Sequence, residues 1–487
     1  VRAGSWLLLA LVALVPLSRS ATAAQLRRSH LNPIQLENRL PGTTAWQIQT
    51  PALNGQISGY GSAQSVAPGQ RISFFVSTKA SRFTASIFRM GWYGGDGGRL
   101  MVSTPSLPGV LQPVPAPDPR NGLLVCNWSE SFSIEIPSSW VSGIYLVKLT
   151  SSTNHQSYIP FVVRGTRHRS PLLMIDAVTT SEAYNVWGGK SLYVDSRYRS
   201  AAAAFDHRAV MVSFDRPYQQ NDGAGWFLSW EIHMVRWLES RGYDVSYADD
   251  LDVNDHPGIL LHRKGIIIAG HDEYWSMAMR DAMDGAVASG VGLANFAANT
   301  GYWQIRLAPL GSQRDAIEIC YKDFKRDPIH SSDPTQATVM WRSKQVHRPE
   351  SELLGAMYED YLGRHGPYPW VVKNPHSWIF KGRRVSRGTS VKGIVGHEED
   401  ALLGRYPHPP QVRVLSASPV RTSTGSRRKS NSTLYRTARG AMVFNAGTID
   451  WSYGLDDIRA SWWSYPPARS SPSPLIERVT ANVLARL

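Results

Sequence analysis

What most constrains the fold of this chain is a change of rhythm at "RGTRHRSP", residues 164–171. Before it, "GQRISFFVSTKA", "RFTASIFRMGWYGG", "ESFSIEIPSSW" and "SGIYLVKLTSS" alternate apolar and polar residues with period two, each bounded by Gly, Pro or Ser. In "FSIEI" the inward set is Phe132, Ile134 and Ile136. Strands of this kind, spaced regularly over residues 34–164, predict an immunoglobulin-like β-sandwich. The stretch "STPSLPGVLQPVPAPDPRNG" breaks the pattern with six prolines and reads as a long surface excursion. After the junction, "LLMIDA", "AVMVSF", "YDVSYADD" and "GIIIAGHDE" are short apolar strands, several ending in acids, with helix-length segments between them. That alternation over 171–487 predicts a second, α/β domain whose parallel sheet is covered on both faces. A chain of 487 residues is too long for one core, so two domains are expected in any case.

Two helices have clear ends. "WFLSWEIHMVRWLESRG" places Trp230, Met234, Trp237 and Leu238 on one stripe, and Gly242 stops it. "SMAMRDAMDGAVASG" places Met279, Ala282, Met283, Ala286 and Val287 on one face, with Ser276 as N-cap and Gly290 at the end. Beyond residue 307 the pattern weakens to candidate strands "ATVMWR", "LLGAMY", "GIVGHE" and "GAMVFNAG" and a terminal helix in "SPLIERVTANVLARL".

Residues 1–24 have the layout of a secretory signal: Arg2, an apolar run from Trp6 to Leu17, then "ATA" before a cleavage point at Ala23 or Ala24. The run is too short to span a bilayer comfortably. We expect a secreted, periplasmic or cell-envelope protein. The net charge is +14, or +12 once Arg2 and Arg19 leave with the signal. In an exported chain that balance points to anionic envelope polymers or lipid headgroups rather than nucleic acid. Its densest run, Arg427, Arg428 and Lys429, reads as a solvated loop. Cys126 and Cys320 are the only cysteines; a disulfide and two buried thiols both stay open.

In parallel sheets ligands gather at the carboxyl ends of the strands. Two corners fall there. In the first, Gly270 permits a sharp turn and His271, Asp272, Glu273 and Tyr274 follow, just before a helix. One acid is expected to cap that helix, which leaves the histidine, the tyrosine and the other carboxylate for chemistry. The second, "VGLANFAANTGYWQIR", holds Asn299 but neither a cysteine nor a G-x-S-x-G elbow, so acyl-enzyme chemistry loses support. "VGHEED" brings His397, Glu398 and Glu399 to a strand end, where a solvated edge and a functional corner are equally good readings. The run Asp249, Asp250, Asp252 and Asp255 lacks calcium-loop spacing and reads as solvated acids.

The motifs "ENRLPGTTAWQI", "ISGYGSAQSVAPGQRISFFVSTKA", "FRMGWYGGDGGRL", "GHDEYWS" and "ANTGYWQIR", in this order, resemble the N,N-dimethylformamidase large (beta) subunit family over about residues 35–310. The resemblance implies an immunoglobulin-like domain beside a glutamine-amidotransferase-like (flavodoxin-like) α/β domain. It also implies a mononuclear iron held by two tyrosines and one glutamate, and hydrolysis of a small amide. The tyrosine of "EYW" matches Tyr274. The second tyrosine would fall on the preceding helix, where this chain has His233, and the region of the glutamate offers only Asp327 and Asp333. The leading expectation is therefore an exported amidohydrolase-like protein with Tyr274 and His233 on a metal, one iron ion, Asn299 orienting substrate, and His271 or Glu273 moving protons. The competing expectation is a non-catalytic envelope or polysaccharide binder on the same fold. The partners expected are a small-molecule amide or an envelope polymer, with self-association or a small partner subunit left open.

Overall fold

The computed structural model describes residues 31–165, 168–311, 313–459 and 471–487. The signal-like residues 1–24 lie outside these. Among the described residues no helix is long and apolar enough to cross a membrane.

The period-two runs of the N-terminal half form two sheets. One contains Ile57–Gly61, Arg71–Thr78 and Phe132–Glu135; the other is built on Arg82–Met90, Gly143–Ser151 and Gln156–Val163. Their facing residues share one core, in which Ile72, Phe74 and Val76 meet Phe83, Ala85, Ile87, Val147 and Phe161. Phe132 stacks on Phe74 at 4.9 Å, so the "FSIEI" strand turns the side chains inward that its alternation selected.

After the junction a seven-stranded sheet runs Val245–Asp249, Leu172–Asp176, Gly265–Gly270, Gly292–Ala297, Met442–Asn445, Thr433–Arg436 and Arg413–Val414. The first five are parallel and the last two antiparallel. Alternate residues feed two cores. Met174, Ile267, Ala294 and Phe444 face the helices Glu231–Ser240 and Pro474–Leu484, whereas Leu173, Ile266, Ile268, Leu293 and Val443 face the helix Met277–Ser289. These strands are therefore apolar on both faces, which is why they read as continuous runs.

Several local expectations are corrected. "AVMVSF" supplies Met211–Ser213 to a separate four-stranded sheet with Gln313–Ile319, Trp303–Leu310 and Tyr274–Ser276. "ATVMWR" forms no strand, only a bridge from Met340 to Trp303. Asp249, Asp250 and Asp252 are buried rather than solvated, because Asp249 and Asp252 make a reciprocal capping box on the helix Asp250–Asp255. Both cysteines are free and buried, in different apolar clusters.

Candidate active site

The central strand Gly265–Gly270 ends at a glycine with φ +78°, where a Cβ would lie 2.6 Å from the Trp230 side chain. Only glycine allows this exit, and it delivers His271, Asp272 and Glu273 to the carboxyl end of the sheet. The helix that follows is capped by Ser276, whose side chain accepts from the Met279 amide, so neither acid is used as a cap. Glu273 stays with the site, whereas Asp272 Oδ1 accepts from Trp275 Nε1 at 2.6 Å.

Glu273 is the focus. Tyr184, at the end of the helix Val178–Ala183, donates to its Oε2 at 2.8 Å. Tyr193, from the following loop, donates to Oε1 at 2.8 Å and reaches Oε2 at 3.0 Å. The two phenol oxygens are 3.0 Å apart and their rings stack at 4.3 Å. The Glu273 carboxylate is buried and both tyrosines are half-buried. Burial first, then the Glu273 charge, pushes both phenols well above their ordinary range.

A second set stands beside it. His271 Nε2 lies 3.4 Å from Glu273 Oε2 and 3.2 Å from Glu398 Oε2. Burial opposes charging of this imidazole, yet Glu398 and Glu273 outweigh it and raise it to about 10. Asn299 Nδ2 donates to Glu398 Oε2 at 2.8 Å. Asn299 sits at φ +53°, a conformation asparagine tolerates better than most residues, and its amide is held by Asp400 Oδ1 at 2.8 Å. Asp400 is fixed in turn by Asn445, whose Nδ2 donates to Oδ2 at 2.8 Å. The Asn299 Oδ1 is buried without a hydrogen-bond partner among the described residues.

Tyr274 forms the floor. Its Oη accepts from Lys322 Nζ at 2.6 Å, and that ammonium lies 3.1 Å from the Tyr193 ring centroid. Burial lowers Lys322 to about 8. Glu318 is fully buried and neither carboxylate oxygen has a partner among the described residues; burial, then the Glu182 charge, holds it well above the carboxylate range.

Against known proteins, the family described as N,N-dimethylformamidase beta subunit-like, C-terminal, matches residues 84–464. The chain belongs to this family. N,N-dimethylformamidase beta subunits from Alcaligenes sp and Paracoccus aminophilus are 24% and 23% identical to it over 435 and 434 residues, each covering 74% of this chain and 54% of the relative. The chain thus spans about half the length of these relatives. Among solved structures, a Paenibacillus sp. cycloisomaltooligosaccharide glucanotransferase aligns at 9% identity with a TM-score of 0.17, over 88% of this chain and 81% of that one, a likeness too weak to bear on the fold.

Of the residues singled out from sequence, His271, Glu273, Tyr274 and Asn299 come together in this member of the dimethylformamidase-like family. His233 does not join them: its ring meets Tyr453 edge-on, and Nδ1 faces the Asp456 carbonyl at 3.3 Å. Asp327 pairs with Arg306 at 2.8 Å, and Asp333 caps the short turn Pro334–Gln336. Tyr184, Tyr193 and Lys322 went unrecognised. The one signal for the two tyrosines was "SEAYNVWGGKSLYV" following a strand that ends in Asp176, and tyrosines in so aromatic a chain look like core; Lys322 lies far outside it.

Two phenols and a carboxylate, all within hydrogen-bond distance, make a set of hard oxygen donors once the phenols lose their protons. This set suits a hard cation. By themselves, His, Cys, Asp and Glu form no three-residue metal cluster among the described residues. Tyrosine oxygens complete the set, so these residues fit the iron that the family resemblance implies.

Proposed function

We propose that this chain is the hydrolytic part of an exported amidase that cleaves the C–N bond of a small amide, on an immunoglobulin-like sandwich joined to an amidotransferase-like domain. The observation that carries this reading is the convergence of Tyr184, Tyr193 and Glu273 beside the His271–Glu398–Asn299 set. Tyr184, Tyr193 and Glu273 would hold one iron ion, with Lys322 and Tyr274 packed behind Tyr193. When bound, the ion acts as a Lewis acid that polarises the carbonyl and acidifies water. Glu398 Oε2 accepts a proton from the attacking water as its oxygen bonds to the carbonyl carbon. His271 Nε2 delivers a proton to the departing nitrogen as the C–N bond breaks, giving a carboxylic acid and an amine, and the proton on Glu398 Oε2 returns to His271 Nε2, 3.2 Å away. Asn299, with a vacant carbonyl oxygen and an amide already on Glu398, orients the substrate. A partner subunit fits the relatives' naming as beta subunits.

Metal analysis and amide turnover test this together. The purified chain should carry iron in about a one-to-one ratio and hydrolyse a small N-alkyl amide, and Tyr193→Phe should cut metal content and rate at least tenfold each, on the scale of lost metal-site support. Turnover unaffected by that substitution sinks the reading.

A further inference from the structure

A cavity lies at the antiparallel edge of the large sheet and shares no residue with the Glu273 site. Its volume is about 320 Å³. Register explains its lining. Arg413 pairs with Leu434 across one strand boundary, and Arg436 pairs with Met442 across the next. Leu434 and Arg436 are two residues apart on one strand, so all four side chains stand on the same face. The helix Pro474–Leu484 and the turn Trp378–Phe380 border that face, and Arg486 brings its guanidinium 4.4 Å over the Trp378 ring.

Three arginines thus converge on a floor of Trp378, Leu434 and Met442, and among the described residues no acid lines the cavity. None of the three makes an ion pair or a side-chain hydrogen bond among the described residues. Other surface arginines of this chain do: Arg241 meets Glu477 at 3.1 Å, and Arg348 meets Asp281 and Asp284 at 2.7 Å. Like charges on neighbouring strands repel, and a guanidinium fork matches a carboxylate or phosphate in shape and charge. An anion seated here would offset the repulsion, and the indole and aliphatic floor would take up an attached apolar group.

We propose that this cavity is a binding site for an oxyanion carried on an apolar body, a carboxylic acid with an aromatic or branched side group. The test is calorimetric titration of the full chain with phenylacetate, its neutral counterpart 2-phenylethanol, and inorganic phosphate. Phenylacetate should bind one to one, and 2-phenylethanol and phosphate roughly tenfold more weakly, the scale of a lost charge-assisted hydrogen bond or a lost apolar group. Arg436→Gln and Arg413→Gln, both at exposed side chains, should each weaken phenylacetate roughly tenfold with an unchanged melting temperature. Equal binding of 2-phenylethanol, parental affinity in both variants, or no saturable heat up to about 10 mM phenylacetate overturns the proposal. Phosphate binding as tightly as phenylacetate overturns its apolar part.

Discussion

Two of the buried glutamates, Glu239 and Glu273, have different kinds of partner, and the difference separates structure from chemistry. Glu239, on the helix Glu231–Ser240, accepts from Arg89 Nη2 at 2.7 Å and Nη1 at 3.0 Å, from Tyr247 at 2.9 Å and from Asn38 at 2.7 Å. Both members of this ion pair are fully buried, and it ties the sandwich to the α/β domain. Four donors fill the carboxylate, and the guanidinium among them never gives up its proton. Glu273 is filled instead by two half-buried phenols, groups that can exchange their protons for a cation. One cluster is fixed by a guanidinium that cannot lose its proton; the other is closed by phenols, which can.

The same substitution should therefore have opposite consequences in the two clusters. Glu398→Gln in the site keeps the shape and a contact to Asn299 but removes the proton acceptor. Amide turnover should fall by roughly 10²–10⁴-fold, the usual contribution of a positioned acid or base, while the fold loses less stability than in Glu239→Gln, because His271, unlike Arg89, can shed its proton when its carboxylate partner is removed. Glu239→Gln should leave the rate per folded molecule alone and destabilise the fold by about 3–5 kcal/mol, because it strands the buried Arg89 charge. Denaturant melts and turnover measured on both variants decide the matter. If Glu239→Gln loses activity without losing stability, the division between the clusters collapses.

How much of this was readable in the sequence follows the same line. Period-two runs, the glycine at 270, the Ser276 cap and the Gly290 stop are local signals. Each appears in the structure where the chain placed it, with Gly290 at φ +110°. His271, Glu273 and Asn299 were legible because strand ends are where such sheets put ligands. Tyr184 and Tyr193 were not, because their meeting with Glu273 spans 89 and 80 residues and depends on a loop that carries no periodicity. The acids at Asp249 and Asp252 misled for a related reason: only the fold reveals that a charged run is a buried cap. Buried polar residues are chosen by distant partners, and composition does not name the partner.

His233 gives the smallest and sharpest test, since it sits two turns from Glu239 on the same helix and was the candidate metal ligand that the site left out. Burial lowers its imidazole to about 4; Asp456 pulls the other way, but that carboxylate is already committed to Arg236 Nε at 2.8 Å. The folded value thus lies below the ordinary ~6.5 of an unfolded histidine. Between these two pH values the unfolded chain binds a proton that the folded chain refuses, so stability falls as pH drops from ~6.5 and the loss is complete below about 4. His233→Gln should remove that part of the acid sensitivity, amounting to a few kcal/mol at most near pH 4. At neutral pH, iron content should be unchanged. Urea melts from pH 4 to 7, with metal analysis of each sample, read both quantities. Metal lost without any change in the pH slope would return His233 to the site and move the boundary between the two clusters.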